Sequence, residues 1–289
     1  MRILVVGATG FLGLYVFDRC KEAGITVAGT SAKNTGMLLL DMTSPESISK
    51  AVSAFKPDCV INCAAMTNVD ECEKNPGLAM QVNAEGPRRL AQACGEARLV
   101  HVSTDAVFDG VAGGYSEESE PNPVNAYARS KLEGDRLVAS TAKDYVVVRT
   151  NLYGLNPSGK GLLNWILSSL AGGKEMTGFT DVVFNPLWAR DLAGMLVELS
   201  TAPYSGILNC AGDEVFTKYE FCKRIADALG YKNATIKPGV SGQSSLAALR
   251  PKKTYLKNDK MHGLLKTKIH SLGEVLHDPS FDIYRQKGP

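Results

Sequence analysis

The sequence predicts an α/β protein: a Rossmann-like, doubly wound parallel sheet with a smaller C-terminal substrate-binding lobe. Three observations predict it. Short runs rich in Val, Ile and Leu recur through the first half with little polar alternation, as strands buried on both faces require. Longer segments with helical apolar spacing separate these runs, and alternation at this pitch means stacked βαβ units. The first run also passes directly into a glycine-rich turn, Gly7-Ala8-Thr9-Gly10-Phe11-Leu12-Gly13.

Taken in order, the apolar runs predict strands at 3–6, 25–28, 59–61, 99–102 and 145–148. The helical spacing predicts helices at 11–21, 45–55, 78–93 and 126–139. Gly24 stands just beyond the first helix, where a left-handed residue ends a helix well. Thr43-Ser44-Pro45-Glu46 supplies a cap and a first-turn proline for the second helix. After about residue 150 the pattern loosens, and helical spacing returns at 190–200 and 217–229. The reading is therefore a dinucleotide-binding domain at 1–150 and a substrate-binding lobe at 151–289, some segments of which could return to the first domain.

Composition narrows the function classes. At 289 residues, with 44% hydrophobic and 21% charged side chains, the chain can bury a sizeable core without staples. A net charge of +2 provides no broad basic face, so neither nucleic acid nor an anionic membrane is an expected partner. The N-terminal apolar run is interrupted by Gly7, Gly10 and Gly13, which does not suit a signal peptide. No apolar run reaches the roughly 18 residues of a membrane span. Seven cysteines, an odd number with no C-x-x-C pair, read as reduced thiols of a cytoplasmic protein rather than as a disulfide framework or a zinc site. No metal is expected.

The glycine turn carries the first chemistry. A pyrophosphate needs a tight turn, close backbone approach and free N–H groups at a helix N-terminus, and a G-x-x-G-x-x-G spacing between strand and helix provides all three. Gly7, Thr9, Gly10, Phe11, Leu12 and Gly13 are thus the candidate cofactor-binding residues. An NAD site places an acid at the end of the second strand to hold the ribose 2′-OH. Here that end reads Thr30-Ser31-Ala32-Lys33, with no carboxylate, so Thr30, Ser31 and Lys33 are candidates for a 2′-phosphate and NADPH is favoured over NADH. Asp41 and Met42 follow a further apolar run, where Asp41 can meet the adenine amine or cap the next helix.

Tyr127-Ala128-Arg129-Ser130-Lys131 forms a Y-x-x-x-K pattern. The pattern alone is weak, and Tyr219 and Lys223 repeat it. Context separates the two: Tyr127 follows a helix entry at Pro121-Asn122-Pro123 and comes after Ser103-Thr104-Asp105, the end of a predicted strand. A helix places Tyr127 and Lys131 on one face. A lysine cation there lowers the phenol's pKa and lets it trade a proton with a carbonyl or alcohol oxygen, while the Thr104 hydroxyl bonds the same oxygen. Tyr219 and Lys223 read as an ordinary helix face.

Together these motifs resemble the extended short-chain dehydrogenase/reductase superfamily, and within it the dTDP-4-dehydrorhamnose reductase family, over nearly the whole chain. The resemblance rests on the glycine turn at 7–13, on Val60 to Asp70 and on Val82-Asn83-Ala84-Glu85-Gly86. Ser103 to Gly110, Tyr127 to Gly134 and Arg149-Thr150 continue it, and Arg250-Pro251 adds a weaker match. It implies NADPH- or NADH-dependent reduction of a 4-keto-6-deoxy sugar on a nucleoside diphosphate. Thr104 and Tyr127 would bind and protonate the keto oxygen, and Lys131 would tune Tyr127 and hold the nicotinamide ribose. Ala64, Ala65, Thr67 and Asn83 would be cofactor-binding residues, Asn83 supporting the site through backbone or water contacts. Thr104, Asp105, Phe108, Asn151 and Arg250 would meet the substrate. Three positions depart from the family pattern: Ala106 replaces an aromatic, Asn151-Leu152 replaces Ser-Trp and Ala128 replaces Gly. The first two remake the sugar pocket.

Two other readings stand beside this one. An epimerase or dehydratase of the extended branch retains NAD and usually carries the acid that is missing here. A dinucleotide-binding regulatory subunit, like the methionine adenosyltransferase β-subunit, would bind without turnover. The family also leaves a homodimer open.

Overall fold

The computed structural model describes residues 1–33, 35–243 and 248–286. The chain opens with β1 (Arg2–Val6), the glycine turn, α1 (Phe11–Glu22), β2 (Thr26–Ser31) and the short β3 (Leu38–Leu39). Next comes α2 (Pro45–Phe55), which starts as the sequence predicts: the Ser44 hydroxyl accepts the Ser47 N–H at 3.2 Å, and Pro45 opens the first turn. β4 (Cys59–Asn62) leads through a loop to α3 (Val69–Lys74). α4 (Pro76–Met80) then continues through a π turn at Gln81–Glu85 into α5 (Gly86–Cys94). β5 (Arg98–Val102), α6 (Ala126–Thr141) and β6 (Tyr145–Thr150) complete the first half.

The second half contains β7 (Leu152–Tyr153), α7 (Leu162–Ala171), β8 (Met176–Phe179), β9 (Val183–Phe184), β10 (Leu187–Trp188) and α8 (Ala189–Leu199). β11 (Gly206–Cys210), β12 (Phe216–Thr217), α9 (Lys218–Ala228), β13 (Ile236–Gly239), α10 (Asp259–Leu264) and α11 (Leu272–Leu276) follow.

A seven-stranded sheet runs in the order β11-β6-β5-β4-β1-β2-β3, with every neighbouring pair parallel. Strand side chains alternate between its two covered faces. Ile3, Val5, Ile61, Val100, Val146, Val148 and Leu208 pack under α1 and α8. Leu4, Val6, Val60, Leu99 and Val147 pack under α2, α5 and α6. Burial on both faces is why these strands read as continuous apolar runs. β1 is the switch point, paired with β2 on one side and β4 on the other. The crevice between the two wings opens there, at the strands' C-terminal ends.

The structure refines the sequence reading in two places. β11 completes the main sheet beside β6, in register from Gly206↔Val146 to Cys210↔Thr150, and α8 packs with α1 on its face. Residues 189–210 thus lie with the first domain rather than with the lobe. The helix expected at 78–93 contains a π turn, where Asn83 and Ala84 are fully buried. The lobe has its own core, with Phe184, Phe216 and Phe221 joined by Leu163, Ile166, Ile225 and Phe281. All seven cysteines are free thiols. Among the described residues, no helix is long and apolar enough to cross a membrane. Among the same residues, no group of three or more His, Cys, Asp or Glu side chains could hold a metal.

Candidate active site

The glycine turn builds a groove of about 300 Å³, lined by Gly7, Thr9, Gly10, Ser31, Ala32, Asp41, Met42, Ala64 and Ala65. Gly7 has φ +79°, and a Cβ there would lie 3.0 Å from the Ala64 backbone. A Cβ on Gly13 would lie 2.1 Å from the Gly7 carbonyl oxygen, so this glycine lets helix and turn close together. Both glycines let the turn close tightly between β1 and α1, with Gly7 and Gly10 lining the groove, and the residues present fit a dinucleotide. The β2 end carries no carboxylate. Instead Ser31 Oγ accepts from Thr9 Oγ1 at 3.3 Å and from the Lys33 N–H at 3.1 Å.

Several candidate residues face elsewhere. Thr30 is fully buried, with its hydroxyl accepting the Gly7 N–H at 3.3 Å, so it braces the turn from behind. Leu12 belongs to the core under the sheet. The Phe11 ring packs edge-on against Tyr15, and Thr67 and Lys33 are exposed and outside the groove's lining. Asn83 is a correction. It is fully buried in the π turn, with its amide donating to the Met66 carbonyl and the Ser130 hydroxyl, each at 3.0 Å, and accepting the Met66 N–H at 2.8 Å. Its side chain ties the loop after β4 to α6 and has no free edge for a cofactor. Gly134 permits this approach, because a Cβ there would lie 2.1 Å from the Asn83 carbonyl oxygen.

α6 carries the tyrosine–lysine pair. Asn125 caps the helix by accepting the Ala128 N–H at 2.9 Å. Tyr127 stands beside Thr104, and burial pushes its phenol's pKa well above the ordinary value. Tyr127 and Met66 pack on the same small cluster, Cys72, Ala79 and Ala126. Met66 follows the groove-lining Ala64 and Ala65, and Thr104 precedes the cavity-lining Asp105.

Lys131 differs from the sequence expectation. Its ammonium donates to the Val102 carbonyl at 2.8 Å and lies 3.4 Å from His101 Nε2. Burial lowers its pKa to about 8, against the pull of Asp135. It does not lower the phenol's pKa here; desolvation dominates the phenol. Asn62 and His101 are register partners on β4 and β5. Asn62 Oδ1 accepts the Ala64 N–H at 3.1 Å, so its amide N–H faces His101 Nδ1 at 3.0 Å. Nδ1 is thus the acceptor, and the hydrogen-bond network places the ring proton on Nε2, toward Lys131. Burial first, and then the Lys131 charge, hold His101 well below its ordinary pKa.

On the other side of Thr104 a cavity of about 630 Å³ opens toward the lobe. Asp105, Ala106, Asn151 and Arg250 line it, with Trp165, Phe179 and Phe184 as apolar walls. Asp105 is held by Asn151 Nδ2 at 2.8 Å, by the Thr104 hydroxyl at 3.2 Å and by a short bond from Thr254. Burial nevertheless raises its carboxyl pKa. Arg250 pairs with Asp70 at 2.9 Å. Sequence reasoning missed Lys218 and Lys252, which also line the cavity; no motif marked them.

Phe108 is a second correction. It is fully buried, stacked on Tyr115 with centroids 4.3 Å apart, and it does not reach the cavity. The Arg149 guanidinium lies 5.3 Å over its ring and pairs with Asp135 at 3.3 Å, both charges being almost wholly buried. The Phe108 ring supports the floor beneath the site.

A dinucleotide groove at the switch point of a parallel sheet, with a second cavity opening toward the lobe, belongs to a Rossmann-like NAD(P)H-dependent oxidoreductase. The chain matches the family model described as RmlD substrate binding domain over residues 1–279. It belongs to that family. It is 34% identical over 277 residues to the "Probable low-salt glycan biosynthesis reductase Agl14" of Haloferax volcanii, covering 92% of each chain. It is 31% identical over 282 residues to a dTDP-4-dehydrorhamnose reductase of Mycolicibacterium smegmatis, covering 96% of this chain and 84% of that one. The structure of dTDP-4-dehydrorhamnose reductase from Bacillus anthracis in complex with NADP matches with a TM-score of 0.82 at 28% identity, covering 93% of this chain and 95% of that one.

Proposed function

We propose that the protein reduces the 4-keto group of a nucleoside-diphosphate 4-keto-6-deoxy sugar, with NADPH as cofactor and Tyr127 as proton donor. One observation supports the reading: the neighbouring Thr104 and Tyr127 adjoin, through Asp105 on one side and the loop after β4 on the other, a cavity large enough for a nucleotide sugar and a dinucleotide groove. When bound, NADPH supplies the hydride. Thr104 and Tyr127 hold the keto oxygen, and the Tyr127 phenol gives it a proton as negative charge develops there. A raised phenol pKa keeps that proton in place until the oxygen becomes the stronger base. Lys131 sits one turn along, poised to hold the ribose hydroxyls and to balance charge. The absence of a carboxylate at the end of β2 supports NADPH over NADH, and it disfavours an epimerase that retains NAD.

The test is to mix the protein with NADPH and a panel of nucleoside-diphosphate 4-keto-6-deoxy sugars and to follow the loss of nicotinamide absorbance. Oxidation with at least one sugar is expected. NADPH binding without oxidation of any member would favour the regulatory-subunit reading instead. Tyr127→Phe should cut turnover by about a thousandfold while keeping NADPH affinity, and near-normal turnover would refute the acid role.

A further inference from the structure

The substrate cavity holds three cationic side chains, and two of them have partners. Arg250 pairs with Asp70 and Lys252 with Asp181, each at 2.9 Å. Lys218, the first residue of α9, lines the same cavity. Among the described residues its ammonium has neither an ion pair nor a hydrogen bond; it lies 3.1 Å from the centroid of the Phe184 ring, which also lines the cavity. The residues outside the described set, Asn34, Ser244 to Ala247 and Lys287 to Pro289, include no acidic side chain. The charge nearest in effect is Asp105, next to Thr104, and that carboxylate is already held by Asn151, Thr254 and Thr104.

A cation held against an aromatic face without an anion is costly to keep, because burial disfavours the charged form. Here burial pulls the Lys218 ammonium down to about 7, with Asp105 and then Cys222 opposing the fall. The groups facing it are Asp105, the buried Cys222 thiol one turn along α9, and Arg250 and Lys252 across the cavity with their own carboxylates. None of these completes its charge. A ligand that brings an anionic oxygen would.

Resting on the reading above, we propose that Lys218 is the anion-binding residue of the substrate cavity and receives an anionic oxygen of the bound nucleotide sugar. That oxygen belongs to the diphosphate folded beside the sugar, because a 4-keto-6-deoxy ring carries no charged oxygen of its own.

The probes are UDP-glucose and UDP-glucuronate, titrated into the NADPH-loaded wild type, Lys218→Met and Lys218→Arg. A charge-assisted bond lost from a cavity weakens binding about tenfold or more. The methionine variant should lose both ligands by that factor, and the arginine variant should recover most of the affinity, with unchanged NADPH binding showing that the fold is intact. A loss confined to UDP-glucuronate would place Lys218 at the sugar edge and overturn the assignment to the diphosphate. Equal affinities in wild type and Lys218→Met overturn the proposal. Should the methionine variant fail to fold, the wild type and Lys218→Arg decide together. Wild-type affinity should weaken as pH rises from about 6 to about 8, where neither ligand titrates but a lysine lowered to about 7 does. The arginine variant, whose guanidinium stays charged and which shares the Lys131 titration, should weaken less; identical profiles overturn the assignment. Failure of the wild type to bind either probe would count against the nucleotide-sugar reading itself, which keeps the two failures apart.

Discussion

Two recesses meet at the C-terminal edge of the sheet, and they are built differently. The dinucleotide groove is shaped mainly by backbone and small side chains: Gly7, Gly10, Ala32, Ala64 and Ala65 line it, and its geometry follows from one strand–turn–helix unit. The substrate cavity is shaped by long side chains from distant segments, Asn151, Trp165, Phe184, Lys218 and Arg250 among them. The first recess depends on the absence of atoms, because a Cβ at Gly7 would meet the Ala64 backbone and one at Gly13 would push α1 off the turn. The second depends on which atoms are present. Local sequence therefore describes the groove well, whereas the cavity exists only after the lobe has folded.

The contrast predicts that one atom group in the groove outweighs several in the cavity. Gly7→Val places a branched side chain at φ +79° and against the Ala64 backbone. NADPH affinity should fall about a hundredfold, measured by fluorescence titration. A loss under threefold would show that the turn adapts and that the two recesses are not so different.

At the junction, pH is the probe. Lys131 is lowered to about 8, so kcat/KM for reduction should fall as pH rises through about 8 and the cation is lost. His101 Nε2, Asp135 and Cys63 face that ammonium. His101→Leu removes the N–H directed at it and should move the limb upward; an unmoved limb would remove His101 from any role in setting Lys131. Stability runs the other way. With its folded pKa below the unfolded value, Lys131 destabilises the fold below about pH 8. The penalty fades as pH rises from there toward about 10.4, and thermal melts of the cofactor-free protein should show it.

The smallest effect belongs to the cavity wall. Asn151→Ala removes one of three donors to Asp105. It should raise KM about three- to tenfold while leaving kcat nearly unchanged. A fall in kcat alone would place Asn151 in the chemistry rather than in positioning.

This difference also explains what the sequence reveals. The strands at 3–6, 59–61 and 99–102 are readable because both faces are buried and apolar. The glycine turn and the Tyr127–Lys131 spacing are readable because one helix or one turn contains them. β11 is not, because Gly206–Cys210 is short and acquires meaning only beside β6. Phe108 and Asn83 sit inside readable motifs, yet their side chains face inward, to Tyr115 and to Ser130. Motif membership does not say which way a side chain points. Lys218 lies in no motif, and its position over Phe184 depends on β9 and α9 meeting in the lobe.

The return of the chain at β11 has a consequence for how such a molecule can be cut and joined. A fragment ending at Thr150 would leave β6 as a bare edge, with Val146 to Val148 losing the neighbour that covers them, and such an edge invites self-association. The segment from residue 151 to 188, by contrast, leaves the sheet domain after β6 and is back at its face by α8. Its strands β8 and β9 pair with β13 and β12, and its apolar side chains share a core with Phe216, Phe221 and Phe281. Exchanging the substrate lobe for a relative's therefore requires both stretches, 151–188 and the part after β11, to be moved together while the sheet and the groove stay in place.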